Sequence, residues 1–253
     1  MVKIQYASDL HLEFQENESF IKHNPLRVVG DELILAGDIL YLDEDYVRHP
    51  FWDWCSDNYK QTIVCFGNHE FYQYYDLSSM QDGTDIEIRP NVHAYYNKKV
   101  RLDGIDIIVS TMWSFIPAED ARYTERYISD FHRILYGKNL LTVKDFNNEN
   151  KRCIAFIKNA VAGYKDSRKI VVTHHVPSFR MQDPKFSGSR TNGGFTVELG
   201  EYIKDSGISY WIYGHSHHNA DVKIGSTWCV SNQLGYVFNG EHQTFDPAKA
   251  FEL

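Results

Sequence analysis

Short apolar runs that stop abruptly at glycine, aspartate or histidine recur along the chain, and they limit its fold more than any other feature. Residues 2–6 run into Asp9-Leu10-His11, and residues 32–36 into Gly37-Asp38. Residues 62–66 run into Gly67-Asn68-His69-Glu70, residues 169–173 into His174-His175, and residues 209–213 into Gly214-His215-Ser216-His217. Such runs, short, rich in β-branched or apolar residues and bounded by turn residues, read as strands. Further strands are predicted at 105–110, 222–224 and 227–230, the last two as a hairpin around Gly225-Ser226. Helices are predicted over 44–58, 121–135, 142–162 and 197–205, with Thr142 as an N-cap and Gly163 as a C-cap. Strands alternating with helices point to a layered α/β fold. The polar stretch 81–91 reads as a loop. The stretch 179–194 reads as a longer loop, either ordinary surface or one wall of a site, because it lies between two motifs.

The 253 residues suit one domain, taken as 1–253. The formal charge is −8, and no basic stripe is present, so the chain carries no strong nucleic-acid signal. An acidic protein can still handle phosphate where bound cations supply positive charge locally. Cys55, Cys65, Cys153 and Cys229 form no CxxC pair and read as reduced, mostly buried thiols. No apolar stretch approaches the roughly 18 residues of a membrane span, and the first residues do not resemble a signal peptide. A cytoplasmic protein is expected.

The motif residues share one chemistry. In Asp9-x-His11, side chains two apart converge from extended or turn backbone. Gly37 permits a tight turn that projects Asp38 beyond a strand's carboxyl end, where α/β folds place ligands. Asp38 has two oxygens and can bridge two cations. Asn68 offers a neutral hard oxygen. His69 beside it could protonate a leaving alkoxide if it faces substrate. His174 is the chosen ligand of its pair, with His175 packing nearby, and His215-x-His217 presents two more imidazoles. Two Asp, one Asn and four His make seven ligands, enough for two ions about 3.5–4 Å apart that clamp phosphoryl oxygens and activate a bridging hydroxide. Nitrogen and oxygen donors admit Mn, Fe, Zn, Ni or Co.

With its five motifs in this order, the chain resembles the calcineurin-like metallophosphoesterase superfamily, whose pattern is D-x-H, G-D, G-N-H-E, H and G-H-x-H. The resemblance implies a four-layer α/β/β/α sandwich with two mixed β-sheets and the metal pair at the strand ends. It implies that Asp9, His11, Asp38 and His217 hold one metal, and that Asp38, Asn68, His174 and His215 hold the other. His69 would be the general acid or transition-state stabiliser, oriented by a nearby carboxylate, a part Asp38 often plays together with its ligand role. Residues 111–114, 128–134 and 195–214 are similar to a bacterial subgroup of small phosphoesterases. Where that subgroup ends its core with Asn-Pro-Arg-Gly-Tyr, this chain reads Asn232-Gln233-Leu234-Gly235-Tyr236.

A metal-dependent phosphoester hydrolase acting on a small phosphoester is therefore expected, with phosphodiesterase activity favoured over phosphatase. The rival from another class is a catalytically silent interaction scaffold, disfavoured because every ligand and His69 are present. His132 and Arg133, Arg180 and Arg190 are weighed as substrate contacts against solvated surface residues, and His218 as a support for the ligands. His23, His49, His93 and His242 read as surface or packing residues, and Trp113 as packing.

Overall fold

The computed structural model describes residues 2–163 and 167–253. Its strands are β1 (Lys3–Ala7), β2 (Glu32–Ala36), β3 (Gln61–Cys65), β4 (Thr84–Arg89), β5 (Val92–Tyr96), β6 (Lys98–Leu102) and β7 (Ile105–Ser110). They continue with β8 (Leu135–Tyr136), β9 (Asn139–Leu140), β10 (Lys169–Thr173), β11 (Tyr210–Tyr213), β12 (Val222–Ile224), β13 (Thr227–Ser231) and β14 (Ala250–Glu252). The helices are α1 (Gln15–His23), α2 (Pro50–Asn58), α3 (Ala121–Tyr127), α4 (Asp130–Arg133), α5 (Val143–Ala162) and α6 (Gly200–Asp205).

Two mixed sheets face each other, ordered β14-β1-β2-β3-β5-β4 and β12-β13-β11-β10-β7-β6. Each has a parallel centre and an antiparallel strand at either edge. The apolar strand runs serve two cores at once, because alternate side chains point to opposite faces. Ile34, Ala36, Ile63 and Cys65 meet Ile107, Val109, Ile170 and Val172 between the sheets. Leu33, Leu35 and Val64 face outward onto Trp52 and Cys55 of α2. Val171 and Trp211 face the other way, onto Ile157 and Val161 of α5 and Ile203 of α6. The layers are therefore α/β/β/α. Among the described residues, no helix is long and apolar enough to cross a membrane.

Several predicted elements are reshaped for physical reasons. The helix expected from residue 44 starts at Pro50, because proline has no N–H and is tolerated only in a first turn; Tyr46–Arg48 is a separate 3-10 turn. The helix expected over 121–135 breaks into α3 and α4, with Ile128 extended between them. α6 begins three residues later than expected, where the Glu198 carboxylate accepts the Gly200 N–H. α5 forms as read, with Thr142 and Asp145 in a capping box, although Gly163 ends it in an extended rather than a left-handed conformation. The stretch 81–91, expected to be a loop, contains the edge strand β4. All four cysteines are free and buried.

Parallel pairing brings the carboxyl ends of β1, β2 and β3 to one edge of the first sheet. Those of β7, β10, β11 and β13 lie together in the second sheet. The two edges are laced to each other. Ser8 bridges Gln233, Asn232 donates its amide to the Tyr6 carbonyl, and the His174 ring donates to the Ala36 carbonyl.

Candidate metal centre

All eight side chains singled out by the motifs converge where the two sheet edges meet. Donor atoms of Asp9, His11 and His217 lie within 4.8 Å of one another, as do those of Asp38, His174 and His215. A further group joins His11, Asp38 and His69. Asp38 belongs to both sides: its Oδ1 is 3.2 Å from His174 Nε2 and its Oδ2 is 3.8 Å from His11 Nε2. Asn68 Oδ1 is 3.0 Å from His174 Nε2.

The backbone is bent to achieve this. Asp9, His11, Asp38, His215 and His217 all have positive φ, between 48° and 74°. Each such residue costs on the order of 1–3 kcal/mol, and the cost falls on the side chains that form the two clusters. Close approach explains the neighbouring glycines. A Cβ on Gly67 would lie 2.1 Å from Asp38 Oδ1, and one on Gly214 would lie 2.6 Å from Asp9 Oδ2. Glu70 ties two of the turns together by accepting the backbone N–H groups of Asp38, Ile39 and Gly67.

Every imidazole of the candidate ligand set is anchored through one ring nitrogen. His11 Nδ1 bonds Glu13 at 3.0 Å, and His217 Nδ1 bonds Glu241 at 2.6 Å. His174 Nδ1 bonds the Ala36 carbonyl at 2.8 Å, and His215 Nε2 bonds the Gly194 carbonyl at 3.2 Å. Outer partners of this kind orient metal-binding histidines and fix their tautomers. The inward nitrogens crowd each other: His11 Nε2 and His217 Nε2 are 3.0 Å apart. Two nitrogens at this separation suit a shared cation. Electrostatics agree. Burial opposes charge on His174 and His217, yet Asp38 raises His174 to about 9, and Asp9 with Glu241 raises His217 to about 10. These carboxylates thus draw positive charge into this position, which a divalent cation would also satisfy. The donor set fits hard or borderline metal ions.

His69 stands apart. Its Nδ1 bonds Glu13 at 2.8 Å, its Nε2 is 3.2 Å from the Tyr236 hydroxyl, and its ring stacks on Tyr72. The carboxylate expected to orient this ring is Asp38. Instead Asp38 accepts the His69 backbone N–H, and Glu13 holds the ring. Burial lowers the tendency of His69 to protonate, but Asp38 and Glu13 outweigh it and raise its pKa above the ordinary imidazole value. Burial likewise opposes charge on Glu13, while hydrogen bonds from His11 and His69 keep its carboxyl below the usual range.

A cleft of about 370 Å³ opens over these residues. Gln182, Asp183, Lys185, Phe186, Thr191 and Asn192 line it, so the 179–194 loop is a wall of the site. In the 128–134 segment the residues that line the cleft are neither His132 nor Arg133 but Ile128, Ser129 and Asp130, the last of which accepts from Asn68 Nδ2 and Tyr72. Exposed His132 contacts the Arg126 carbonyl, and exposed Arg133 lies over the Tyr72 ring. Arg190 pairs with Asp120 and lies over Tyr123, and exposed Arg180 is outside the cleft lining. His218 is 3.9 Å from Asp183. His175 is fully buried against Trp113, Phe146 and His215, with neither ring nitrogen hydrogen-bonded among the described residues. Trp113 packs in the core and donates to the Tyr96 hydroxyl.

Glu13, Asp130, Tyr236 and Glu241 lie outside the residues that the motifs single out. Three of them carry a signal in the sequence: Asp9, His11 and Glu13 continue the same two-residue spacing, Asp130 lies in the 128–134 stretch, and Tyr236 closes the Asn232–Tyr236 stretch.

Comparison with known proteins agrees with this geometry. A family model described as calcineurin-like phosphoesterase matches residues 2–219. Uncharacterized protein L509 of Acanthamoeba polyphaga mimivirus is 28% identical over 272 residues, covering 96% of this chain and 94% of that protein. The solved structure of phosphopantetheinyl hydrolase from Mycobacterium tuberculosis shares the fold, with a TM-score of 0.70 at 15% identity, over 95% of this chain and 92% of that one. The chain belongs to the calcineurin-like phosphoesterase family.

Proposed function

We propose that the protein is a two-metal phosphoester hydrolase with a preference for phosphodiesters. The observation that carries this reading is the pair of donor clusters joined by Asp38. Asp9, His11, Asp38 and His217 would hold one divalent ion, and Asp38, Asn68, His174 and His215 the other. When bound, two such ions supply positive charge for the phosphoryl oxygens and lower the pKa of water.

The chain's own residues do the rest. Asp130 turns the Asn68 amide so that its oxygen faces His174. His69 commits its Nδ1–H to Glu13, so in the imidazolium form its second proton sits at Nε2 on the cleft side. From there it protonates the oxygen of the departing alcohol, and the Asp38 and Glu13 carboxylates favour the charged ring that does so.

The diester preference rests on the charge of the cleft. Besides Asp38, its lining carries Asp130, Asp183 and Glu241 against Lys185, which pairs with Asp183 at 2.9 Å, and the imidazoles of His69 and His217. A phosphodiester has one negative charge. A monoester, with a second pKa of about 6, carries nearly two at neutral pH and meets more repulsion from these acids.

The test compares bis(p-nitrophenyl) phosphate with p-nitrophenyl phosphate on Mn²⁺-loaded protein. A higher kcat/KM on the diester is expected. Monoester preference would overturn the substrate assignment, and no turnover of either ester would overturn the enzyme reading.

A further inference from the structure

We infer that Glu13 is a positioning residue that couples the candidate metal ligand His11 to the acid His69, an inference that rests on the hydrolase reading above. A single oxygen, Oε1, receives both rings: His11 Nδ1 at 3.0 Å and His69 Nδ1 at 2.8 Å. The rings stand edge to face with centroids 4.4 Å apart. Because each ring spends Nδ1 on Glu13, each turns Nε2 the other way. His11 Nε2 points to His217 and Asp38, and His69 Nε2 points to the Tyr236 hydroxyl in the cleft. One carboxylate therefore sets the tautomer of a ligand and of an acid together.

Glu13 is built to stay in place. It sits on the turn between β1 and α1, with the Leu12 N–H bonded to the Ile39 carbonyl and the Phe14 N–H to the His11 carbonyl. The Phe14 ring lies beside both imidazoles, and the Glu13 side chain is only 4% exposed. Glu13 is absent from the groups of donors close enough to hold an ion among the described residues. Among the described residues its buried Oε2 has no hydrogen-bond partner, so both histidine contacts pass through Oε1. A carboxylate with this arrangement acts through the two histidines and not on substrate.

The experiment measures two quantities on Glu13→Ala. The first is kcat at saturating Mn²⁺ on two diesters, bis(p-nitrophenyl) phosphate and diphenyl phosphate. Nitrophenolate departs readily without a proton, whereas phenolate needs one more, so a misplaced acid shows as a leaving-group bias. A role confined to holding the fold would lower both rates alike. The second is the Kd for Mn²⁺, read by titration without substrate. We expect diphenyl phosphate turnover to fall about 10²-fold and bis(p-nitrophenyl) phosphate turnover far less, with the Mn²⁺ Kd rising about 10–100-fold. Equal losses on both diesters, or an unchanged Kd, would overturn the inference. Glu13→Gln keeps an oxygen acceptor and should show the same bias more weakly; if Glu13→Ala does not fold, an unbiased loss in Glu13→Gln overturns the inference instead. His69→Ala, assayed alongside, separates the two levels. An unbiased loss there strikes the acid assignment itself, while a biased loss there with an unbiased one at Glu13 strikes only the coupling.

Discussion

Strand β2 carries a buried carboxylate at each end, and the two live in opposite electrostatic worlds. Asp38, just beyond its carboxyl end, is 2% exposed; Glu32, at its amino end, is 3% exposed. Burial pushes both toward the neutral form. At Asp38, the charges of His174, His69 and His11 overcome that push and hold the carboxyl well below its usual range. At Glu32, burial dominates, a backbone N–H from Gln61 compensates only in part, and the carboxyl rises to about 7. Its Oε2 has no hydrogen-bond partner among the described residues. Burial alone, then, does not make a site. The carboxyl ends of the strands differ because imidazoles from several turns gather there. An amide substitution should therefore have opposite consequences at the two ends.

The largest effect is expected from Asp38→Asn. Asp38 faces both donor clusters, so its loss should remove Mn²⁺ and turnover together, beyond the fall of about 10²–10⁴-fold typical of a lost general acid. Metal analysis after dialysis, paired with a diester assay, checks this. Retention of two Mn²⁺ ions would show that the Asp38 charge is not what the site is organised around. His69→Ala comes next. It should keep both ions and lose about 10²–10⁴-fold in kcat. If it empties the site instead, His69 is a ligand and the assignment of roles is wrong.

A third substitution compares the two clusters within the site. His11 and His217 are anchored by carboxylates, whereas His174 and His215 are anchored by backbone carbonyls. Glu241→Ala removes one carboxylate anchor and leaves the carbonyls alone. A two-site Mn²⁺ titration should show one Kd raised about 10–100-fold and the other unchanged. Equal weakening of both would mean that the clusters do not bind independently.

Much of the site is legible in the amino-acid order, and the places where legibility ends are informative. The motifs mark strand ends, and parallel strands necessarily gather their carboxyl ends, so Asp9, Asp38, Asn68, His69, His174 and His215 can be placed together from order alone. Supporting groups resist. Glu241 and Tyr236 reach the site from a late irregular segment, and Asp130 sits where α3 and α4 part; none has a periodic neighbour to announce it. β4 is hidden for a different reason. As an edge strand it exposes Asp85 and Glu87 and packs Ile86 and Ile88 inward, so its alternation reads as polarity when composition is weighed ahead of period. At the break, the Ile128 side chain packs closely against Gly194, where a Cβ would collide with Ile128 Cδ1, a contact between segments far apart in sequence.

The smallest effect lies at the other end of β2, and its sign is the sharpest check on the comparison. Glu32 has a folded value of about 7 against 4.5 in its ordinary state. Between those values the folded protein binds a proton that the unfolded chain releases. Stability from this group is therefore fully present below the ordinary value and is lost as pH rises through the folded one. Glu32→Gln removes the buried charge while keeping the shape. It should raise Tm at about pH 8, where the wild-type carboxyl is ionised, and the gain should vanish toward about pH 5, where that carboxyl is already neutral. Thermal melts of both proteins at the two pH values decide the matter. A loss of stability at the higher pH would mean that Glu32, like Asp38, is held charged by a partner, and the contrast between the two ends of the strand would collapse.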